Sequence, residues 1–146
     1  MNRILPRMLA MAIMAVALLS GCKRDDPQAA LDAAANDLQA ALEAHDARRA
    51  LDLLHPSFSA QTPEDDREWA GRTMTMMFMR YKNIHILIPW REHRLDARVP
   101  DYATSEAEIS LLGAEGLLPE RSSHYRVKLH WRRENGQWKL LQLKWE

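Results

Sequence analysis

Beyond Pro27, apolar side chains recur first every three or four residues and later every second residue, so helices precede strands along this chain. Asp26-Pro27 supplies an N-cap acid and a first-turn proline. Leu31, Ala34, Ala35, Leu38, Ala41 and Leu42 then fall at helical spacing. His45-Asp46 interrupts the pattern. Asp46 is placed to cap a short second helix carrying Ala50, Leu51 and Leu54, and Pro56 is expected to end it. Thr62-Pro63-Glu64-Asp65 reads as the start of a third helix, with Thr62 as its cap, running to about Tyr81. Its second half, TMTMMFMRY, is apolar almost all round and predicts a helix enclosed by protein.

The period then changes to two. Ile84, Ile86, Ile88 and Trp90 alternate, and Pro89 marks an edge or bulged strand. Ala103, Ser105, Ala107, Ile109 and Leu111 form one face of a second strand. Tyr125, Val127, Leu129 and Trp131 form that face of a third. Asn135-Gly136 predicts a two-residue hairpin turn, since both positions need positive φ. In the last strand Trp138 and Leu140 share one phase and Leu141, Leu143 and Trp145 the other, which requires a bulge near Leu140-Leu141. Helices followed by a four-strand antiparallel meander make an α+β domain, its N-terminal helices packed on a curved sheet.

Upstream of this domain, Arg3 and Arg7 precede an apolar run from Met8 to Leu19, then Ser20, Gly21 and the chain's single cysteine, Cys22. As a helix, those twelve apolar residues would reach roughly 18 Å, short of the ~30 Å hydrocarbon core. Leu19-Ser20-Gly21-Cys22 resembles the bacterial lipoprotein box. The resemblance implies cleavage of residues 1–21, lipidation of Cys22 and a tether, residues 22–26, leading into a domain over 27–146. Lys23 is not the aspartate that in many Gram-negative bacteria retains lipoproteins at the inner membrane. The expected place is therefore the outer membrane facing the periplasm, with a membrane partner through the lipid anchor.

Composition changes this picture little. The 20 basic and 20 acidic residues balance, and 47% of residues are hydrophobic. There is no basic excess of the kind that nucleic-acid binding needs. One cysteine cannot close an internal disulfide or build a cysteine-pair zinc site.

The helix–break–helix ALEAHDARRALDLLHPSF and the closing hairpin WRRENGQWKLLQLKW resemble the nuclear transport factor 2-like superfamily (SnoaL-like, cystatin-like), a cone of curved sheet around helices. The resemblance implies a pocket at the cone mouth. The side chains expected around it are Trp69, Met74, Met77, Phe78, Tyr81, Trp90, Tyr125 and Trp131, with Tyr102 as a further aromatic. It also implies pairing of two copies through the outer sheet face. In isomerase-like members an acidic base commonly follows the second helix; here Phe58-Ser59-Ala60-Gln61 offers none, which counts against proton-abstraction chemistry of that kind.

His55 is the remaining candidate general acid or base, although a histidine closing a helix before proline also caps carbonyls. The methionines of residues 74–79 fit a packed core, an adaptable wall for a hydrophobic ligand or, third, a Cu(I) site that no cysteine supports. No cofactor and no metal are expected. His124, Arg126, Lys128, His130 and Arg132 form a basic strip that simple hairpin register would pair with Glu108 and Glu106. These residues favour a non-catalytic envelope module that binds a hydrophobic small molecule or an envelope protein; the alternative is a small-molecule lyase or isomerase working through His55.

Overall fold

A computed structural model describes residues 26–113 and 123–146; the expected export segment, Cys22 and most of the expected tether lie outside the described residues. The elements follow in the order α1 (Pro27–Glu43), α2 (Ala47–Asp52), β1 (Leu54–Ser59), α3 (Arg67–Arg80), β2 (Ile84–Leu95), β3 (Tyr102–Gly113), β4 (Ser123–Glu134) and β5 (Gln137–Trp145). The strands form one sheet in the order β1-β5-β4-β3-β2, antiparallel except where β1 lies parallel to β5. Helices packed on a curved sheet are the α+β architecture that the periodicity predicts; β1, parallel to β5, adds a fifth strand to the predicted four-strand antiparallel meander.

Local chemistry sets the helix boundaries. The Asp26 carboxylate accepts from the Gln28 amide at 3.0 Å, and the Asp46 carboxylate accepts from the Arg49 amide at 3.0 Å. Between these two helices His45 adopts a left-handed φ of 57°. α3 starts later than the sequence indicates. Its cap is Asp66, which accepts from the Trp69 amide at 2.8 Å. Thr62 belongs instead to a separate turn, in which Asp65 accepts its amide at 2.9 Å.

Two bulges bend the sheet. In β2 the register shifts between Leu87 and Trp90, across Pro89. The shift exchanges the faces: Ile84 and Ile86 point inward before it, and Arg91, His93 and Leu95 lie opposite inward Ala107, Ser105 and Ala103 after it. In β5, Trp131 pairs with Leu140 and His130 with Gln142, so Leu141 is the extra residue, where the phase change places it. The connecting turn holds Asn135 and Gly136 at φ 51° and 76°.

The core lies between the inner sheet face and the helices. Leu31, Phe58, Trp131, Trp138 and Leu140 are buried together, with Trp69 and Met74 packed against them. A second stripe of α1 is polar: Gln28, Asp32, Asn36, Gln39 and Glu43 follow helical spacing and grip β2, an edge strand. Gln39 donates to the Ile86 carbonyl (2.9 Å), Glu43 accepts the Ile86 amide (2.7 Å), and Arg91 donates to Asp32 (2.6 Å) and Asn36 (2.8 Å). An edge strand presents unpaired backbone groups, and this stripe meets those of Ile86 and the His93 carbonyl.

Candidate functional site

His55 does not end a helix. α2 closes at Asp52, and His55 is the second residue of β1, because the chain turns extended before Pro56 instead of carrying the helix up to it. Its side chain is buried. Nδ1 accepts from the Ser57 amide at 2.9 Å, which places the ring proton on Nε2, 3.1 Å from the Glu134 carboxylate. That contact, more than Arg132 nearby, holds the Glu134 carboxyl below its ordinary range. Both nitrogens are engaged, so His55 ties β1 to the end of β4.

The sheet interior holds a different polar group. Trp131 Nε1 donates to Ser105 Oγ at 2.9 Å, and Ser105 Oγ lies 2.5 Å from His93 Nδ1. His93 Nε2 faces the Asp32 carboxylate at 3.4 Å, and Arg91 holds that carboxylate in place. Burial first, and then the neighbouring Arg91 charge, push the His93 pKa below its ordinary value despite Asp32. The neutral ring accepts a hydrogen bond from the Ser105 hydroxyl at Nδ1 and carries its own proton on Nε2, which faces Asp32 without hydrogen-bonding to it. Sequence reading passed over His93 because the β2 bulge, which no alternation pattern reports, is what turns it inward.

The expected pocket residues are dispersed. Trp131 is wholly buried and Trp69 and Met74 pack on the core. Met77, Phe78, Tyr81 and Tyr125 are half-buried. Phe78 stacks on the His45 ring at 4.8 Å. Trp90 is 44% exposed and sits on the outer face opposite Glu108, carried there by the same bulge. Tyr102 also lies outward, under the Arg132 guanidinium. The basic strip is neutralised as simple register requires: Arg126 meets Glu108 at 3.3 Å and Lys128 meets Glu106 at 3.4 Å.

α3 is not enclosed. Of its residues only Ala70 is fully buried, and Met76 and Met79 are 57% and 77% exposed. The helix has one side on the core and the other open, because α2 and β1 flank it without covering it. Between α2, β1 and α3 runs a groove of about 1040 Å³. Leu51, Leu54, Pro56, Gly71, Met76 and Met79 give it an apolar lining, and Arg67, Arg72 and Lys139 bring positive charge. Gly71 keeps the floor open: a Cβ there would lie 3.4 Å from Leu51 Cδ1. Among the described residues no three His, Cys, Asp or Glu side chains gather as a metal site.

The sequence matches no protein-family model and no curated protein. Solved structures match in shape. Bd1075 of Bdellovibrio bacteriovorus superposes with a TM-score of 0.68 at 10% identity, over 80% of this chain and 40% of that one, so the chain spans well under half of its length. A protein of unknown function with a cystatin-like fold from Nostoc punctiforme gives 0.65 at 17% identity, over 82% and 89% of the two chains. A candidate dehydratase of the nuclear transport factor 2-like family from Streptomyces avermitilis gives 0.67 at 16%, over 79% and 91%. This chain has the nuclear transport factor 2-like, cystatin-like fold. At these identities the likeness concerns the cone and its helices, the architecture expected from the two quoted segments, and leaves the chemistry to the residues of this chain.

Proposed function

We propose that the protein is a non-catalytic binding module of the bacterial cell envelope, held at a membrane by lipid on Cys22, and that the groove beside α3 takes a hydrophobic molecule. One observation carries the binding reading: Met76 and Met79 are exposed on the rim of an apolar groove. Ligand sites are commonly concave and apolar, with a few polar groups at the edge. Flexible thioether side chains adapt to ligands of irregular shape. The envelope address rests on Arg3, Arg7, the apolar run Met8 to Leu19 and the Leu19-Ser20-Gly21-Cys22 box. Attachment by several acyl chains is effectively permanent, since each buried CH₂ contributes about 0.8 kcal/mol.

Two measurements test this. Full-length protein made in a Gram-negative host with an alkynyl fatty acid should carry the label, fractionate with the outer membrane, and lose both properties as Cys22→Ser. A neutral long-chain alcohol bearing a diazirine should, on irradiation, label the peptide containing Met76 and Met79. A soluble, unlabelled product would end the envelope assignment; labelling scattered over the outer sheet face would end the groove assignment.

A second reading, a small-molecule lyase or isomerase, draws support from the His93–Asp32–Ser105 array and from the dehydratase-family neighbour. It moves the general acid or base from His55 to His93. A turnover screen comparing wild type, His93→Gln and His55→Ala decides it, since this reading requires activity lost in the first variant and kept in the second.

A further inference from the structure

We infer that the groove beside α3 is built for a single-chain anionic amphiphile, a fatty acid, with its carboxylate at the α3 N-terminal end and its tail running toward Met79. This deepens the binding reading above and rests on it. The groove has polarity along its length. Arg67 lies at the first residue of α3, whereas Met76 and Met79 lie in its last two turns. From residue 67 to residue 79 the helix rises roughly 18 Å, a length that suits one extended acyl tail.

Charge is concentrated at one end. Arg67 gives Nε and Nη2 to the Leu51 carbonyl (3.3 and 3.1 Å), and Lys139 donates to the Asp52 carbonyl. Both acceptors are backbone oxygens closing α2, so each side chain keeps its full charge while being held in place. Among the described residues Arg67 Nη1 makes no hydrogen bond. Two acids also border the groove. Glu68 is occupied by Arg72 at 2.6 Å, and the Asp52 side chain offsets one of the two remaining cations. The partial positive charge of the first turn of α3 is already met by the Asp66 cap; the side chains lining that end leave one net positive charge. A neutral ligand would make no use of it.

The experiment uses full-length protein in membranes and two diazirine probes of equal chain length, one ending in a carboxylate and one in an alcohol, with labelled residues mapped by mass spectrometry. The acid should label the Met76–Met79 peptide more strongly than the alcohol, by about five- to ten-fold, the scale of one charge-assisted contact. Arg67→Gln with Lys139→Gln should bring the acid down to the alcohol. Gly71→Leu should abolish labelling by both in a variant that still unfolds in one cooperative thermal transition. Equal labelling by acid and alcohol would overturn the fatty-acid assignment and leave the hydrophobic groove standing. Absence of labelling by either probe, or labelling that survives Gly71→Leu, would overturn both.

Discussion

Ser105→Ala removes one oxygen from the sheet interior, and the structure sets what that costs. Ser105 is 1% exposed; its Oγ accepts the Trp131 indole N–H at 2.9 Å and lies 2.5 Å from His93 Nδ1. Alanine leaves a buried donor and a buried acceptor without partners, and neither ring has room to swing toward water: Trp131 is 0% exposed and the His93 side chain 7%. Each orphaned group costs about 1–3 kcal/mol, and the volume lost is a single atom, so the expected destabilisation is about 2–6 kcal/mol. For a domain of this size that lowers the thermal midpoint by roughly 10 °C or more. Urea unfolding followed by tryptophan fluorescence measures it. Ser110→Ala serves as the control. That hydroxyl meets His124 at 3.0 Å on the outer, solvated face, and its loss should stay within about 0.5 kcal/mol of wild type. If Ser105→Ala is as stable as Ser110→Ala, the hydroxyl does not satisfy the interior, and the tautomer assigned to His93 fails with it.

Acid should weaken the fold in a definite window. Burial lowers the His93 and His130 pKa values below the ordinary 6.5, so below about pH 6.5 the unfolded chain binds protons that the folded one refuses. Stability is full above that pH and declines as pH falls; urea midpoints from pH 8 to pH 5 should show the decline, and His93→Gln should flatten it, a slope unchanged in that variant refuting the role. His55→Ala should cost about 2–4 kcal/mol by freeing the Ser57 amide and the Glu134 carboxylate and by opening a cavity. A urea midpoint within error of wild type would show that His55 is not a tie between β1 and β4. Gly136→Ala should cost about 1–2 kcal/mol, because φ is 76° there; an unchanged midpoint would mean that the turn does not hold this geometry.

Much of the fold was legible in the residues because its signals are local. Asp26 and Asp46 cap helices with their own side chains, Asn135-Gly136 tolerates positive φ, and the change of phase at Leu140-Leu141 forces the extra residue seen at Leu141. Alternation along β3 and β4 even set Glu108 against Arg126 and Glu106 against Lys128. Where the reading failed, two neighbouring features competed. Thr62 and Asp66 both offer a cap, and only packing selects Asp66. Trp90 and His93 exchange faces at a bulge whose position within Leu87–Trp90 depends on pairing with β3.

The candidate site was hidden for a different reason. Apolarity all round α3 predicts enclosure, but enclosure requires neighbours on every side, and the sheet supplies them on one side only. Periodicity states which residues seek shelter from water; it cannot state how much shelter the rest of the chain provides. Order of elements, capping and strand register therefore came from the chain as written, through interactions between residues near in sequence or related by a simple turn. The groove beside Met76 and Met79, the inward turn of His93 and the burial of Ser105 were decided by tertiary packing, where residues far apart in sequence fix each other's exposure.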